Sequence, residues 1–168
     1  IQVYDTETYE FIRTLPSGPD PELLVVSATG DRLYAANEDD NLVTVIDLET
    51  GARLAEIPVG VEPEGMGISP DGAIIVNTSE TTNMAHFIDR ESHRIVANVL
   101  VDSRPRFAQY KSDGSEVWVT AEIGGTVSVI DADTKEIKKK ITFEIPGIRS
   151  EAIQPVGVRI TDDGSKAY

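Results

Sequence analysis

Three glutamates, Glu38, Glu80 and Glu122, recur at a step of 42 residues in a chain of 168. If the fold brings equivalent positions onto one rim, three such carboxylates could attract a cation or a basic partner. They lack the dense Asp-x-Asp-x-Asp-Gly run of a dedicated calcium loop, so solvated turn acids are the plainer alternative. Arg104 and Arg106 flank Pro105, where the corresponding prolines carry Asp20 and Glu22, then Glu62 and Glu64. That local charge reversal allows two chemistries. The arginines could grip a carboxylate or phosphate by bidentate bonds, or they could pair with glutamates across a unit boundary. His86 takes the place that the same step gives to Thr44 and Ser128. An imidazole there could be a base or an axial ligand, or a residue hydrogen-bonded inside the fold. Arg149 and Glu151 lie in EIPGIRSEAIQ, residues 144–154, which is longer than its counterparts. A loop longer than its siblings is a reasonable recognition element, and drift at a loop tip is the competing explanation.

Other chemistry is absent from the pattern. No Ser-His-Asp order, nucleophile elbow, glycine-rich phosphate loop or zinc motif is present, so no catalytic residue, metal ligand or cofactor is assigned. With no cysteine, disulfides, thiolate catalysis and iron–sulfur ligation are excluded. A formal charge of −14 argues against nucleic acid, whose phosphates need clustered Lys and Arg. The basic run Lys138-Lys139-Lys140 falls within a strand-like segment and reads as a solvated edge. No stretch approaches the roughly 18 apolar residues of a membrane span. His93 falls in an exposed turn, and Trp118 sits on a strand where packing between sheets accounts for it.

These residues are positioned by a repeat. Asp5, Asp47, Asp89 and Asp131 stand 42 apart, each after an apolar-rich segment: IQVY, VTVI, AHFI and VSVI. Three residues after each comes Thr8, Thr50, Ser92 or Thr134, able like the Asp to bond the turn backbone. Gly51 holds the turn position where positive φ is easiest, with Tyr9, His93 and Lys135 in the sibling units. Pro21, Pro63 and Pro105 keep the same step, and Pro155 arrives eight residues late. Asp71-Gly72, Asp113-Gly114 and Asp163-Gly164 mark hairpins, with Gly30-Asp31 in the first unit.

One unit, residues 63–104, contains four short strands: EGMGIS, AIIVNT, MAHFID and IVANVLV. Four antiparallel strands in about 42 residues match one propeller blade, and no amphipathic helix of useful length interrupts them. The chain is therefore expected to be all-β, a single propeller segment with units of about 1–42, 43–84, 85–126 and 127–168.

The wording PEGMGISPDG (63–72), IIVNTSETTN (74–83), LYAANEDDN (33–41), VWVTAEIGGT (117–126) and VIDLETG (45–51) resembles the YVTN β-propeller repeat. It looks closest to periplasmic propellers associated with pyrroloquinoline quinone-dependent alcohol oxidation, and it is also similar to surface-layer members. The resemblance implies a seven-bladed ring, of which about four blades are present here. It also implies a periplasmic or cell-surface location and a non-enzymatic binding or scaffolding role toward a protein or small-molecule ligand. A redox enzyme of the haem d1 type and a surface-layer or adhesion module are the alternatives. Because the chain opens in a third strand and stops in a second, the ring is expected to be completed by further residues, with completion by a second copy or closure of the two ends into a four-bladed ring as the alternatives.

Overall fold

A computed structural model describes every residue from Ile1 to Tyr168. Fourteen strands run in chain order: β1 (Gln2–Tyr4), β2 (Phe11–Thr14), β3 (Pro21–Val26), β4 (Arg32–Asn37), β5 (Leu42–Asp47), β6 (Arg53–Pro58), β7 (Pro63–Ile68), β8 (Ile74–Ser79), β9 (Met84–Asp89), β10 (Arg94–Leu100), β11 (Pro105–Tyr110), β12 (Glu116–Ala121), β13 (Thr126–Asp131) and β14 (Ile137–Thr142). They form three four-stranded antiparallel sheets, β3 to β6, β7 to β10 and β11 to β14, and one two-stranded sheet, β1 with β2. Residues 155–168 make a hairpin bridged at Ile160 and Ala167. The sheets thus begin at the prolines, about twenty residues out of phase with units counted from Ile1. The first strands face one another, β3 against β7 and β7 against β11, which makes them the inner strands of radially set blades.

The turn chemistry follows the residues. The Oδ1 atoms of Asp5, Asp47, Asp89 and Asp131 accept from the backbone N–H three residues on, at 2.7 to 2.9 Å. These bonds hold each aspartate below the ordinary carboxylate range; at Asp89 the side-chain bond from Ser92 is the larger cause. Tyr9, Gly51, His93 and Lys135 all take positive φ, 60°, 73°, 54° and 62°, so a side chain is tolerated where glycine is easiest.

Packing between blades supplies the core. Val76, Ala85 and Phe87 of the second four-stranded sheet pack with Val117, Val119 and Ile130 of the third. Fully burying one such side chain contributes about 2 kcal/mol. Close approach also dictates composition: a Cβ on Gly65 would lie 2.9 Å from the Arg106 carbonyl oxygen. The basic run lies on the outer strand β14, where Lys138 pairs with Glu116 at 2.8 Å and Lys140 with Asp102 at 2.6 Å.

Candidate functional site

The connections from each outer strand to the next inner strand and those between second and third strands share one face. The repeat ties them together in the same way each time. Asp20, Glu62 and Arg104 precede the three prolines with φ of 46°, 58° and 59°. Their carbonyls accept from the N–H groups of Glu38, Glu80 and Glu122 at 3.0, 2.8 and 2.9 Å. The Asn41 and Asn83 side chains accept from Glu62 N–H and Arg104 N–H at 3.0 and 3.1 Å. Three non-glycine residues held in left-handed backbone on one face are costly conformations that these bonds hold in place.

The side chains then divide by unit. Arg106 donates from Nη1 to Glu80 Oε1 at 2.5 Å, and its Nη2 lies 2.9 Å from Glu64 Oε1. Arg104 Nε reaches Glu80 Oε2 at 2.8 Å and lies 3.3 Å from Glu122 Oε2. The arginines therefore pair across a blade boundary, with Glu64 and Glu80 only 6% and 5% exposed. Burial pushes the Glu64 carboxyl up to about 7, against the pull of Arg106. Glu122 Oε2 and Arg106 Nε are buried without a hydrogen-bond partner. Below about pH 7 Glu64 holds its proton and the two remaining acids match the two guanidinium groups; above it the cluster gains surplus negative charge.

One blade earlier the equivalent acids have no arginine. Carboxylate oxygens of Asp20, Glu22 and Glu38 lie within 4.8 Å of one another. Burial, then the neighbouring Glu22, raises the Glu38 carboxyl. Between this trio and the arginine cluster opens a cavity of about 450 Å³, lined in part by Glu38, Glu62, Glu80, Asn83, Arg104 and Ile123. Three acids and one arginine line it, so its field favours a cation.

His86 sits beneath this face, 5% exposed. Its Nε2 accepts from Gly60 N–H at 3.0 Å, and its Nδ1 lies 2.6 Å from Asn98 Oδ1. Both ring nitrogens are engaged, so no free base faces solvent there. Arg149 and Glu151 lie in the long connection, around the short 3₁₀ turn Ser150–Ala152, and neither side chain makes an ion pair or hydrogen bond. That connection exposes Ile145 and Ile148, each at 50%, and it folds back on the turn at Gly125, whose Cβ would meet Ile153 O at 3.3 Å. Glu64, Glu22, Glu62 and Asp20 belong to the site although the sequence reading placed them only as siblings of the arginines. Their signal was the same step of 42.

Radial four-stranded blades with a charged cavity on their loop face define a β-propeller whose sheets serve as a rigid frame for that face. In structure the chain is similar to Kuenenia stuttgartiensis hydrazine synthase, with a TM-score of 0.82 at 22% identity. That likeness covers 98% of this chain, which spans 44% of the length of the matched one. At such identity the likeness is one of fold. Because 1135 chains of solved structures match, the architecture is widely shared and function must be argued from the site. No protein-family model matches the chain, and no curated protein matches it.

Proposed function

We propose that this propeller is a non-enzymatic binding module whose loop face takes a basic, partly apolar segment of a protein partner. The cavity between the first two units of the face is the observation that carries this reading: Glu38, Glu62 and Glu80 line it with Arg104 as the one cation. A guanidinium or ammonium entering there meets carboxylates in the way Arg106 meets Glu64 and Glu80 one blade on. Ile123, 60% exposed at the cavity edge, offers apolar contact beside the charge. Acidic steering brings such a segment in quickly, and apolar contacts lengthen its stay.

By the resemblance to YVTN propellers, the module works in the periplasm or at the cell surface, alongside a quinone-dependent alcohol oxidation system. The name of the hydrazine synthase neighbour belongs to that protein; its fold supports the scaffold here and not the chemistry. An enzymatic reading that takes His86 as its base finds both ring nitrogens already bonded.

Calorimetric titration with a pentapeptide of alternating arginine and leucine, beside its glutamate counterpart, tests the reading. The basic peptide should bind and the acidic one should not. Glu62→Arg, which copies Arg104 into the preceding unit at the same backbone angle, should weaken the basic peptide about tenfold. Equal binding of both peptides, or affinity unmoved by Glu62→Arg, would overturn it.

A further inference from the structure

We propose that His86 is an acid-released latch on the loop of residues 59–62, and through that loop on the cavity wall that Glu62 forms. The loop is pinned at several points. Val59 N–H donates to Asn41 O at 3.0 Å, Glu62 N–H to the Asn41 side chain at 3.0 Å, and Gly60 N–H to His86 Nε2 at 3.0 Å. Val61 O and Glu62 O also accept from Thr81 N–H and Glu80 N–H, at 3.3 and 2.8 Å, and of these backbone anchors only the one at Gly60 ends on a titratable group.

A main-chain N–H is always a donor, so Nε2 must carry the lone pair and Nδ1 the proton, which it donates to Asn98 Oδ1. Adding a proton to Nε2 sets two donors against each other at the Gly60 contact and leaves the Ser79 hydroxyl, 3.2 Å away, as the acceptor that the new N–H turns toward. The packing gives them no room to part in place. A Cβ on Gly60 would collide with Thr82 Oγ1 and stand 2.7 Å from Ser79 Cβ and 2.9 Å from Nε2. Relief comes from moving the loop, which carries Glu62 away from the cavity and from its bond with the Thr81 hydroxyl.

The sibling blade has no such contact: Ser128, in the place of His86, leaves its hydroxyl buried without a partner. There Asp102 stands in the place of Gly60 and accepts from the Thr126 hydroxyl at 2.7 Å. Around His86 the strand neighbours are Asn77 and Asn98, both uncharged. The loop brings Glu62, and the turn after β8 brings Glu80, which is bound by Arg104 and Arg106. Asp89 and Arg94 pair in register at the other ends of β9 and β10. None of these charges bonds the ring. Burial, the largest influence, holds the imidazole below the ordinary histidine value. The closed loop is therefore stable above that value and is released as pH falls through the lowered one.

The part concerning the cavity rests on the proposed binding role, while the latch itself does not. Ring nitrogen shifts of His86 and amide exchange at Gly60, followed by NMR from neutral to acid pH and corrected for intrinsic exchange, test it. The neutral ring should show the Nδ1–H tautomer. Gly60 protection should fall about tenfold or more as the ring protonates, while the Val101 amide of the sibling loop stays protected. His86→Thr, the residue the first unit uses at this place, should remove the step. An Nε2–H tautomer at neutral pH, or Gly60 protection unchanged through the ring titration, would overturn the latch. If the basic peptide fails to bind at any pH while the Gly60 step is present, the binding role falls and the latch stands.

Discussion

The boundary between the first and second four-stranded sheets and the boundary between the second and third share one backbone and differ in charge. At the second boundary Arg104 and Arg106 reach back to Glu80, and Arg106 also to Glu64. At the first, the residues in the arginines' places are Glu62 and Glu64, and they face Glu22 and Glu38. The bonds of the preceding turns are the same at both, so two side chains decide whether a boundary is closed by its own cations or left acidic. A repeat fixes where charges stand and leaves their sign free. The arginine boundary reads as structure, and the acidic one reads as surface offered to a partner.

The largest break in this comparison is Arg106→Leu. It leaves Glu64 and Glu80 facing each other at 6% and 5% exposure with one guanidinium fewer. Removing one partner from a buried ionic network costs about 3 kcal/mol, because the remaining charge stays desolvated. Urea unfolding should show that loss, and a second change, Glu64→Leu, should recover part of it. A loss below about 0.5 kcal/mol would place Arg106 among ordinary surface ion pairs.

Glu64→Gln sharpens the comparison through pH. The Glu64 carboxyl is raised from 4.5 to about 7, first by burial. A raised value in the folded state means stability present below 4.5 and lost as pH rises through about 7. Glutamine keeps the shape and cannot ionise. Relative to the variant, the native protein should therefore lose ground steadily from pH 4.5 to pH 8. Urea midpoints at several pH values check this, and a difference that is flat or grows in favour of the native protein sinks it.

How much of this could be read beforehand depends on the range of the cause. The strands EGMGIS, AIIVNT, MAHFID and IVANVLV coincide with β7 to β10 within one residue at each end. Alternation and Asp-Gly turns are local, and the repeat supplies each observation several times. The positive φ at Tyr9, His93 and Lys135 was legible for the same reason. The site was half legible. Equal spacing put Glu80, Glu122, Arg104 and Arg106 on one face, and their pairing was open until distances settled which carboxylates each arginine meets. Glu22 and Glu64 were visible as siblings, yet their depth of burial is set by the neighbouring blade. The bond from Gly60 to His86 spans 26 residues at a place where the repeat is broken, so nothing in the spacing announces it. Arg149 and Glu151 show the opposite case: a conspicuous insertion whose charged side chains make no ion pair or hydrogen bond in this chain.

The smallest effect separates the two arginines. Arg104 meets Glu80 at 2.8 Å and Arg106 meets it at 2.5 Å, but the Arg104 side chain is 42% exposed against 25% for Arg106. Water and salt screen the outer pair, and a long side chain must be ordered to make it. Arg104→Gln should therefore cost only about 0.5 kcal/mol at low salt and less in 1 M sodium chloride. The Arg106→Leu loss should persist in salt, because its partners are buried. Arg104→Gln also removes the one positive charge lining the cavity, so it should tighten the basic peptide while slightly weakening the fold. Thermal unfolding in two salt concentrations, with peptide titration beside it, reads both effects. If Arg104→Gln destabilised as much as Arg106→Leu, or loosened the basic peptide, the division of this face into a closed boundary and an open one would fail.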